Sequence, residues 1–212
     1  MRVHISDHPL VAQKLTVLRD VETPSSLFRQ VAEELVTLLA YEATRQIRVQ
    51  RKVIQTPLME MEGVALHEPP PIVVPILRAG LGILAGLLQL LPTAEVGFLG
   101  LKRDETTLEA ITYANRMPEH LSDRQVFILE PMLATGGSLL TAIEYMQNLG
   151  ARDIICICLL AAPEGVAKLQ AALGDESNVT LVVAAVDQGL NENAYIVPGL
   201  GDAGDRLYGV ID

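Results

Sequence analysis

The chain has 212 residues, half of them hydrophobic, with 26 Asp and Glu against 16 Lys and Arg and a formal net charge of −10. That length and apolar content support one domain with a sizeable core and exclude a disordered chain. The acidic balance excludes a general nucleic-acid or anionic-membrane binder, which needs a basic surface, so any phosphate recognition must be local: a few arginines, main-chain amides or a metal.

The chain opens MRVHISDHPL, with no basic region followed by an apolar stretch, so no signal peptide is read there. Residues 25–47 carry apolar side chains at helical spacing behind the start signals Thr23, Pro24 and Ser25. Residues 48–71 hold Pro57, Gly63 and a triple-proline stop at 69–71, and read as an edge hairpin. Alternation then begins. Residues 72–77 form a short apolar strand and 80–91 a helix, whose apolar run is about half the length that crosses a bilayer. Residues 95–101 are strand-like, and the polar stretch 102–123 reads as a mobile excursion over a site. Strands follow at 125–129, 153–160 and 179–186, separated by helices at 137–148 and 163–173. After Asp187 the chain is rich in glycine and turn residues.

Strand–helix alternation with short joints predicts an α/β fold: a mostly parallel central sheet with helices on both faces. Tryptophan is absent and aromatics make up 4% of the chain, so Leu, Val, Ile and Ala must fill the core, as suits parallel strands buried between helices. Cys156 and Cys158 lie two apart in one strand, on one face, and read as small apolar core residues rather than half of a metal site. Ligand sites in such folds lie beyond the carboxyl ends of the strands. That rule selects Arg78, the Lys102–Arg103 pair, residues 130–138 and residues 199–205.

In ILEPMLATGGSLL a buried strand delivers a carboxylate, Glu130, to a turn of small residues and hydroxyls. Ala134 to Ser138 open a helix whose first N–H groups have no helical partner and can point at one anion. Gly136 and Gly137 let backbone approach closely, while Thr135 and Ser138 add hydroxyl donors. No Lys follows the glycines and no GxGxxG is present, so this is neither a Walker loop nor a dinucleotide fingerprint. Glycine content alone fits an ordinary capped helix start equally well. The neighbouring Glu130 tips the balance, because a carboxylate beside an anion cradle needs hydroxyl donors on the same ligand, as a ribose 5-phosphate supplies. Arg78, leaving a strand before Gly80 and Gly82, reads either as a surface ion pair or as a guanidinium clamp for a pyrophosphate. The four histidines fall in no catalytic pattern.

EPMLATGGS resembles the phosphoribosyl pyrophosphate (PRPP) loop of the type I phosphoribosyltransferases, in the form DPMLATGGS used by the uracil phosphoribosyltransferase family. VVPILRAGLG at 73–82, YEAT at 41–44, APEGV at 162–166 and DQGLNENAYIVPGLGDAGDR at 187–206 resemble the same family, so the likeness covers nearly the whole chain. It implies a glycosyltransferase of pyrimidine salvage that converts uracil and PRPP to UMP and pyrophosphate; the cytoplasm is the compartment expected from the lack of a readable signal peptide or spanning segment. Magnesium would be held mainly by PRPP. The resemblance places PRPP on Arg78, Arg103, Glu130, Pro131, Met132, Leu133, Ala134, Thr135, Gly136, Gly137, Ser138 and Asp202, with Arg103 and Asp202 catalytic. It places uracil on Ile196, Gly201, Asp202 and Ala203, in a base-recognition hood formed by 187–212 on a single domain spanning 1–212. Main-chain groups there match the carbonyl and N–H edge of uracil, whereas cytosine presents an amino group to a donor. Asp202 and Asp205 also suit plain turn formation. Members of the family are dimers or higher homo-oligomers, and the apolar 25–47 helix is the expected interface. Some are activated by GTP, but no residue set here marks a GTP site. One departure stands out: the usual Asp is Glu130, one methylene longer, which implies a shifted carboxylate and weaker PRPP binding. A regulator that keeps the fold and binds PRPP or nucleotide without turnover is the alternative.

Overall fold

Alternating apolar residues on the strands sort the core into two layers, one on each face of a central sheet. In this computed structural model residues 1–103 and 110–209 are described. The chain runs through β1 (Arg2–Ile5), α1 (Pro9–Arg19) and α2 (Ser25–Ala43), then the hairpin β2 (Val49–Gln55) and β3 (Glu60–Leu66). Next come β4 (Ile72–Leu77), a 3-10 turn at Ala79–Ile83, α3 (Leu84–Leu90), β5 (Glu95–Val96), β6 (Phe98–Arg103) and β7 (Ala110–Arg116). The second half holds β8 (Val126–Leu129), β9 (Met132–Leu133), α4 (Gly137–Asn148), β10 (Ile154–Ala161), α5 (Pro163–Leu173) and β11 (Val179–Val186). It ends with β12 (Gly189–Leu190), β13 (Ile196–Val197) and α6 (Ala203–Tyr208).

The main sheet has the order β1-β11-β10-β8-β4-β6-β7. Its pairs are parallel except β6 with β7. Along β8, Phe127 and Leu129 face one layer and Val126 and Ile128 the other, as period-2 alternation requires. The first layer adds α1, α2 and α3, with Phe28, Leu35, Leu39 and Leu87 fully buried. The second adds α4 and α5 through Leu139, Ile143, Met146 and Leu169. Cys156 and Cys158 are free, buried members of that second layer. Helix α3 lies close against α2, since a Cβ on Gly86 would stand 2.3 Å from the Glu33 carbonyl oxygen. At the amino ends of the strands, buried Gln125 accepts from the Arg48 N–H at 2.8 Å and donates to Asp153 Oδ2 at 2.8 Å.

Helices α4 and α5 and strands β4 and β11 fall where the sequence predicts them. Four expectations change. First, the N-terminal segment contributes a strand and a helix: β1 pairs in parallel with β11 as an edge strand, and the His8 side chain caps α1 by accepting from the Leu10 N–H. Second, the 48–71 hairpin forms its own two-stranded sheet instead of extending the main one. Third, the apolar face of α2 is spent inside the chain against the sheet, so it is not a free interface. Exposed apolar side chains cluster on the hairpin instead, with Leu58 at 93% and Val64 at 74% of full exposure. Fourth, the 102–123 stretch contains strand: it holds the end of β6 and all of β7, which pair from Phe98↔Arg116 to Arg103↔Ala110, while 104–109, part of the expected mobile excursion, lie outside the described residues. Among the described residues no helix is long and apolar enough to cross a membrane.

Candidate active site

The site is assembled at the carboxyl ends of the neighbouring strands β4 and β8, where β4 runs two residues past the end of β8. After β4 the chain turns at Arg78 into the 3-10 turn, and a Cβ on Gly80 would lie 2.4 Å from the Leu129 carbonyl oxygen. Any side chain at position 80 would push this turn away from the end of β8. Glu130, the next residue, keeps the sheet bond, donating its N–H to Ile157 O at 3.2 Å. The result is a cavity of about 740 Å³ on whose wall Arg78, Glu130, Met132 and Asp202 meet.

Glu130 leaves the sheet with a buried strand behind it and Cys158 alongside. Desolvation raises its carboxyl to about 8, against a single opposing hydrogen bond from the Met132 N–H. No ion pair is recorded for it among the described residues. An acid pushed up in this way disfavours its charged form in the fold.

The turn that follows is held from below. The Pro131 carbonyl accepts from Leu159 and Leu160, at 2.9 and 3.1 Å, and the Leu133 carbonyl accepts from Ala162 at 2.8 Å. Pro131 and Leu133 are buried, so they fix the loop to β10 while Met132 and Ala134 face outward. Gly136 has φ 78°, a left-handed conformation that only glycine adopts cheaply, and it caps α4. Gly165 of α5 packs against this turn so closely that a Cβ there would lie 2.4 Å from the Ala134 carbonyl oxygen. That contact explains the glycine in APEGV. Thr135 and Ser138 stand at the mouth of the turn, half-buried and exposed.

A second cavity, of about 300 Å³, is lined by Ala134, Thr135, Ile196 and Gly201. It shares Met132, Asp202 and Ala203 with the larger one. The loop and the tail thus line two adjoining cavities, with these three residues between them. Asp202 also caps α6, accepting from the Asp205 N–H at 2.9 Å. The turn-forming reading and the cavity-facing position both hold for it. Arg103 ends β6 opposite Ala110; its side chain lies outside the described residues, so the site is built without it here.

What sequence reasoning missed is the clamp that holds the tail. Arg19, the last residue of α1, forms a two-pronged pair with Asp187 at 2.8 and 2.5 Å and also donates to Gly199 O at 2.9 Å. The Gly199 N–H returns to Asp187 at 2.8 Å. Burial pushes the Asp187 carboxyl up, but the Arg19 guanidinium and the Gly199 N–H outweigh it and hold the group below its ordinary value. Helix α6 is fastened in the same way. Arg206 lies 4.7 Å over the Phe28 ring and donates to Asp20 O at 2.8 Å, and Arg29 donates to Leu207 O at 2.8 Å. Glu164 of α5 accepts from the Leu190 N–H at 3.0 Å. No local pattern announces Arg19, whose partner lies 168 residues away.

Two outcomes follow from these interactions. Arg19→Met strands a carboxylate whose side chain is only 5% exposed. A loss of about 2–4 kcal/mol is expected by urea denaturation, on the lower side of a fully buried pair because Arg19 itself is partly exposed. For Glu130, stability is fully present below the unfolded carboxylate range and is lost as pH rises toward 8. Glu130→Gln removes that titration. Its stability advantage over the native chain should grow by about 2 kcal/mol between pH 6 and pH 9, after allowing for water in the cavity. An advantage that is flat with pH would show that Glu130 is already ionised in the fold.

Known proteins similar to this chain agree with the geometry. The family model described as uracil phosphoribosyltransferase matches residues 5–210. A uracil phosphoribosyltransferase of Beutenbergia cavernae is 66% identical over 211 residues, covering 100% of both chains. One from Kocuria rhizophila is 64% identical over 212 residues, again with 100% coverage of both. The solved structure of the AQ2163 protein from Aquifex aeolicus superposes with a TM-score of 0.91 at 40% identity, covering 98% of each chain. A hypoxanthine-guanine phosphoribosyltransferase from Bacillus anthracis shares the fold alone, with a TM-score of 0.50 at 13% identity over 77% of this chain and 80% of that one. With a half-buried carboxylate following β8, a glycine-capped turn after it and a clamped tail opposite, the chain belongs to the uracil phosphoribosyltransferase family.

Proposed function

We propose that this chain transfers the phosphoribosyl group of PRPP to uracil, giving UMP and pyrophosphate, as a single domain whose 187–212 segment is the base-recognition hood. The observation that carries the reading is the junction of the two cavities at Met132, Asp202 and Ala203. It sets an arginine and a carboxylate on one side and a phosphate-type turn and a main-chain-rich tail on the other. A ligand with a pyrophosphate, a ribose and a 5-phosphate spans that space, leaving the tail for a base.

In the reaction the bond from the anomeric carbon to the pyrophosphate oxygen breaks, the bond to uracil N1 forms, and the N1 proton leaves to solvent. Positive charge grows on the sugar and negative charge on the leaving group. Arg78, and Arg103 from the end of β6, stabilise the leaving pyrophosphate. Glu130 accepts the ribose hydroxyls. Residues 134–138 hold the 5-phosphate by their N–H groups and the hydroxyls of Thr135 and Ser138. Ile196, Gly201 and Ala203 hold uracil by main-chain groups, and Asp202 faces the PRPP side. The chain needs no nucleophile of its own, since positioning and charge supply the catalysis.

Magnesium fits as part of the substrate. Among the described residues no three His, Cys, Asp or Glu gather to hold a metal, yet two carboxylates, Glu130 and Asp202, face the larger cavity. Bound with PRPP, Mg²⁺ supplies neutralisation of the pyrophosphate charge. That arrangement suits a net acidic chain, which brings few cations of its own.

The reading also includes a homo-oligomer. It is supported by the β2–β3 hairpin, because a two-stranded sheet is marginal alone in water, and Leu58, Met59 and Val64 stand exposed on it. Sedimentation velocity on the native chain and on Leu58→Ser/Val64→Ser reads this directly. A monomeric native chain would end the idea.

The central test is pyrophosphate release with Mg²⁺, PRPP and uracil, beside cytosine and purine bases. Turnover is expected with uracil alone, and none with any base would favour a binding regulator. Glu130→Asp, assayed in parallel, is expected to lower the PRPP KM several-fold, because the shorter side chain restores the family's reach. An unchanged PRPP dependence would show that the extra methylene does not matter.

A further inference from the structure

Tyr113 stands where the β6–β7 ladder loses its register. Gly100 pairs with Ala114 and Leu101 pairs with Thr112, so Tyr113 is the one residue of β7 in that stretch with no opposite on β6. A β-bulge bends its strand and re-aims a side chain, and bulges gather beside active sites. Here the re-aimed ring lines the 740 Å³ cavity, in company with Arg78 and Glu130. A second observation is independent of the first. A Cβ on Gly100 would stand 2.7 Å from two ring atoms of Tyr113 and 2.8 Å from the Ala114 Cβ. The glycine opposite the bulge makes room for the ring to lie across the strand. Beyond the bulge, Asn115 donates to the Tyr145 hydroxyl on α4, which fixes the strand in this position.

Core packing does not account for the arrangement. Tyr113 keeps 50% of its surface exposed, so the bulge and the glycine gain little burial from it. What they achieve is placement of a side chain with a neutral hydroxyl donor on the wall of a cavity whose charged side chains are a guanidinium and two carboxylates. Its position also selects the part of the ligand it meets. Tyr113 lines the larger cavity with Arg78, and it is absent from the smaller one, where Ala134, Thr135 and Ile196 lie.

We propose that the Tyr113 phenol donates a hydrogen bond to the pyrophosphate of PRPP beside Arg78, as a binding residue for the leaving group. The inference rests on the transfer reaction proposed above and assigns a residue to it. No bond to Tyr113 forms or breaks. Its donor strengthens as charge collects on the departing oxygens, and being neutral it adds selectivity without a further cation.

The test uses Tyr113→Phe, which keeps the ring, and Gly100→Ala, which displaces it from a distance. In Tyr113→Phe the PRPP KM and the pyrophosphate product-inhibition constant are both expected to rise about tenfold. The uracil KM, UMP inhibition and melting temperature should stay within error. Gly100→Ala should show the same selective pattern. Calorimetric binding of Mg²⁺–PRPP and Mg²⁺–pyrophosphate gives a readout free of turnover. A native chain that binds PRPP but releases no pyrophosphate would overturn the transfer reading, while the affinity of Tyr113→Phe would still decide this one. Unchanged PRPP and pyrophosphate constants in Tyr113→Phe overturn the assignment, as does a change confined to uracil and UMP.

Discussion

The architecture of the site depends on one close approach, that of Gly80 to the carbonyl oxygen of Leu129. Strands β4 and β8 are neighbours in register, Ile72 opposite Val126 and Pro75 opposite Leu129, so β8 stops while β4 still has residues to run. The turn after β4 must fold back over that stop. With a side chain at position 80 it could not, and Arg78 and Glu130 would open onto different spaces. Because the backbone closes up here, the two residues share a wall. The same economy recurs at Gly165 against Ala134, where α5 closes the far side of the loop. Glycine is used at these points less for freedom of φ than for the absence of a Cβ.

Charge is arranged locally against a global deficit. The chain carries −10 overall, yet its proposed ligand is itself highly anionic. Arginines do two different tasks. Arg19, Arg29 and Arg206 are committed to carbonyl oxygens, a carboxylate and a phenyl ring, and so fasten the tail. Arg78 has no such commitment through its guanidinium among the recorded bonds of the described residues; only its carbonyl is engaged, accepting from Tyr208 at 3.4 Å. Desolvation then disfavours the charged form of Glu130 on the same cavity wall. An acidic protein can thus present an anion site without a basic surface.

The sequence revealed elements whose signal is local. Helices α4 and α5 carry glycine or proline at the start and an apolar stripe, and strands β4, β8, β10 and β11 are nearly unbroken apolar runs, as burial on both faces requires. The phosphate-type turn was legible for the same reason, since its glycines and hydroxyls are consecutive. Long-range elements were not legible. Strand β1 is short and mostly exposed and becomes a strand only by pairing with β11. Strand β7 lies inside a stretch that is polar and charged overall, and its pairing with β6 is long-range information that the local sequence does not carry. The capping role of Asp202 and its place on the cavity wall cannot be separated by spacing. Of the resemblance-based assignments, Pro131 and Leu133 turn out to hold the loop from beneath, a task set by their carbonyls and invisible in their side chains.

The fastening of the tail has a consequence for how the molecule comes into being. The charged and ring anchors that α6 and the Gly199 turn use, from Arg19 and Asp20 to Phe28 and Arg29, belong to residues 19–29, while the groups they hold lie beyond residue 186. During synthesis the opening segment emerges first and must wait. The sheet can gather strand by strand as β4, β8, β10 and β11 appear, but residues 19–29 have no partner there until residues 187–208 have been made. Loops that close over so long a separation come late in folding. The pocket is therefore the final piece to be set, and a chain stopped short would carry an ordered sheet with nothing opposite its phosphate turn.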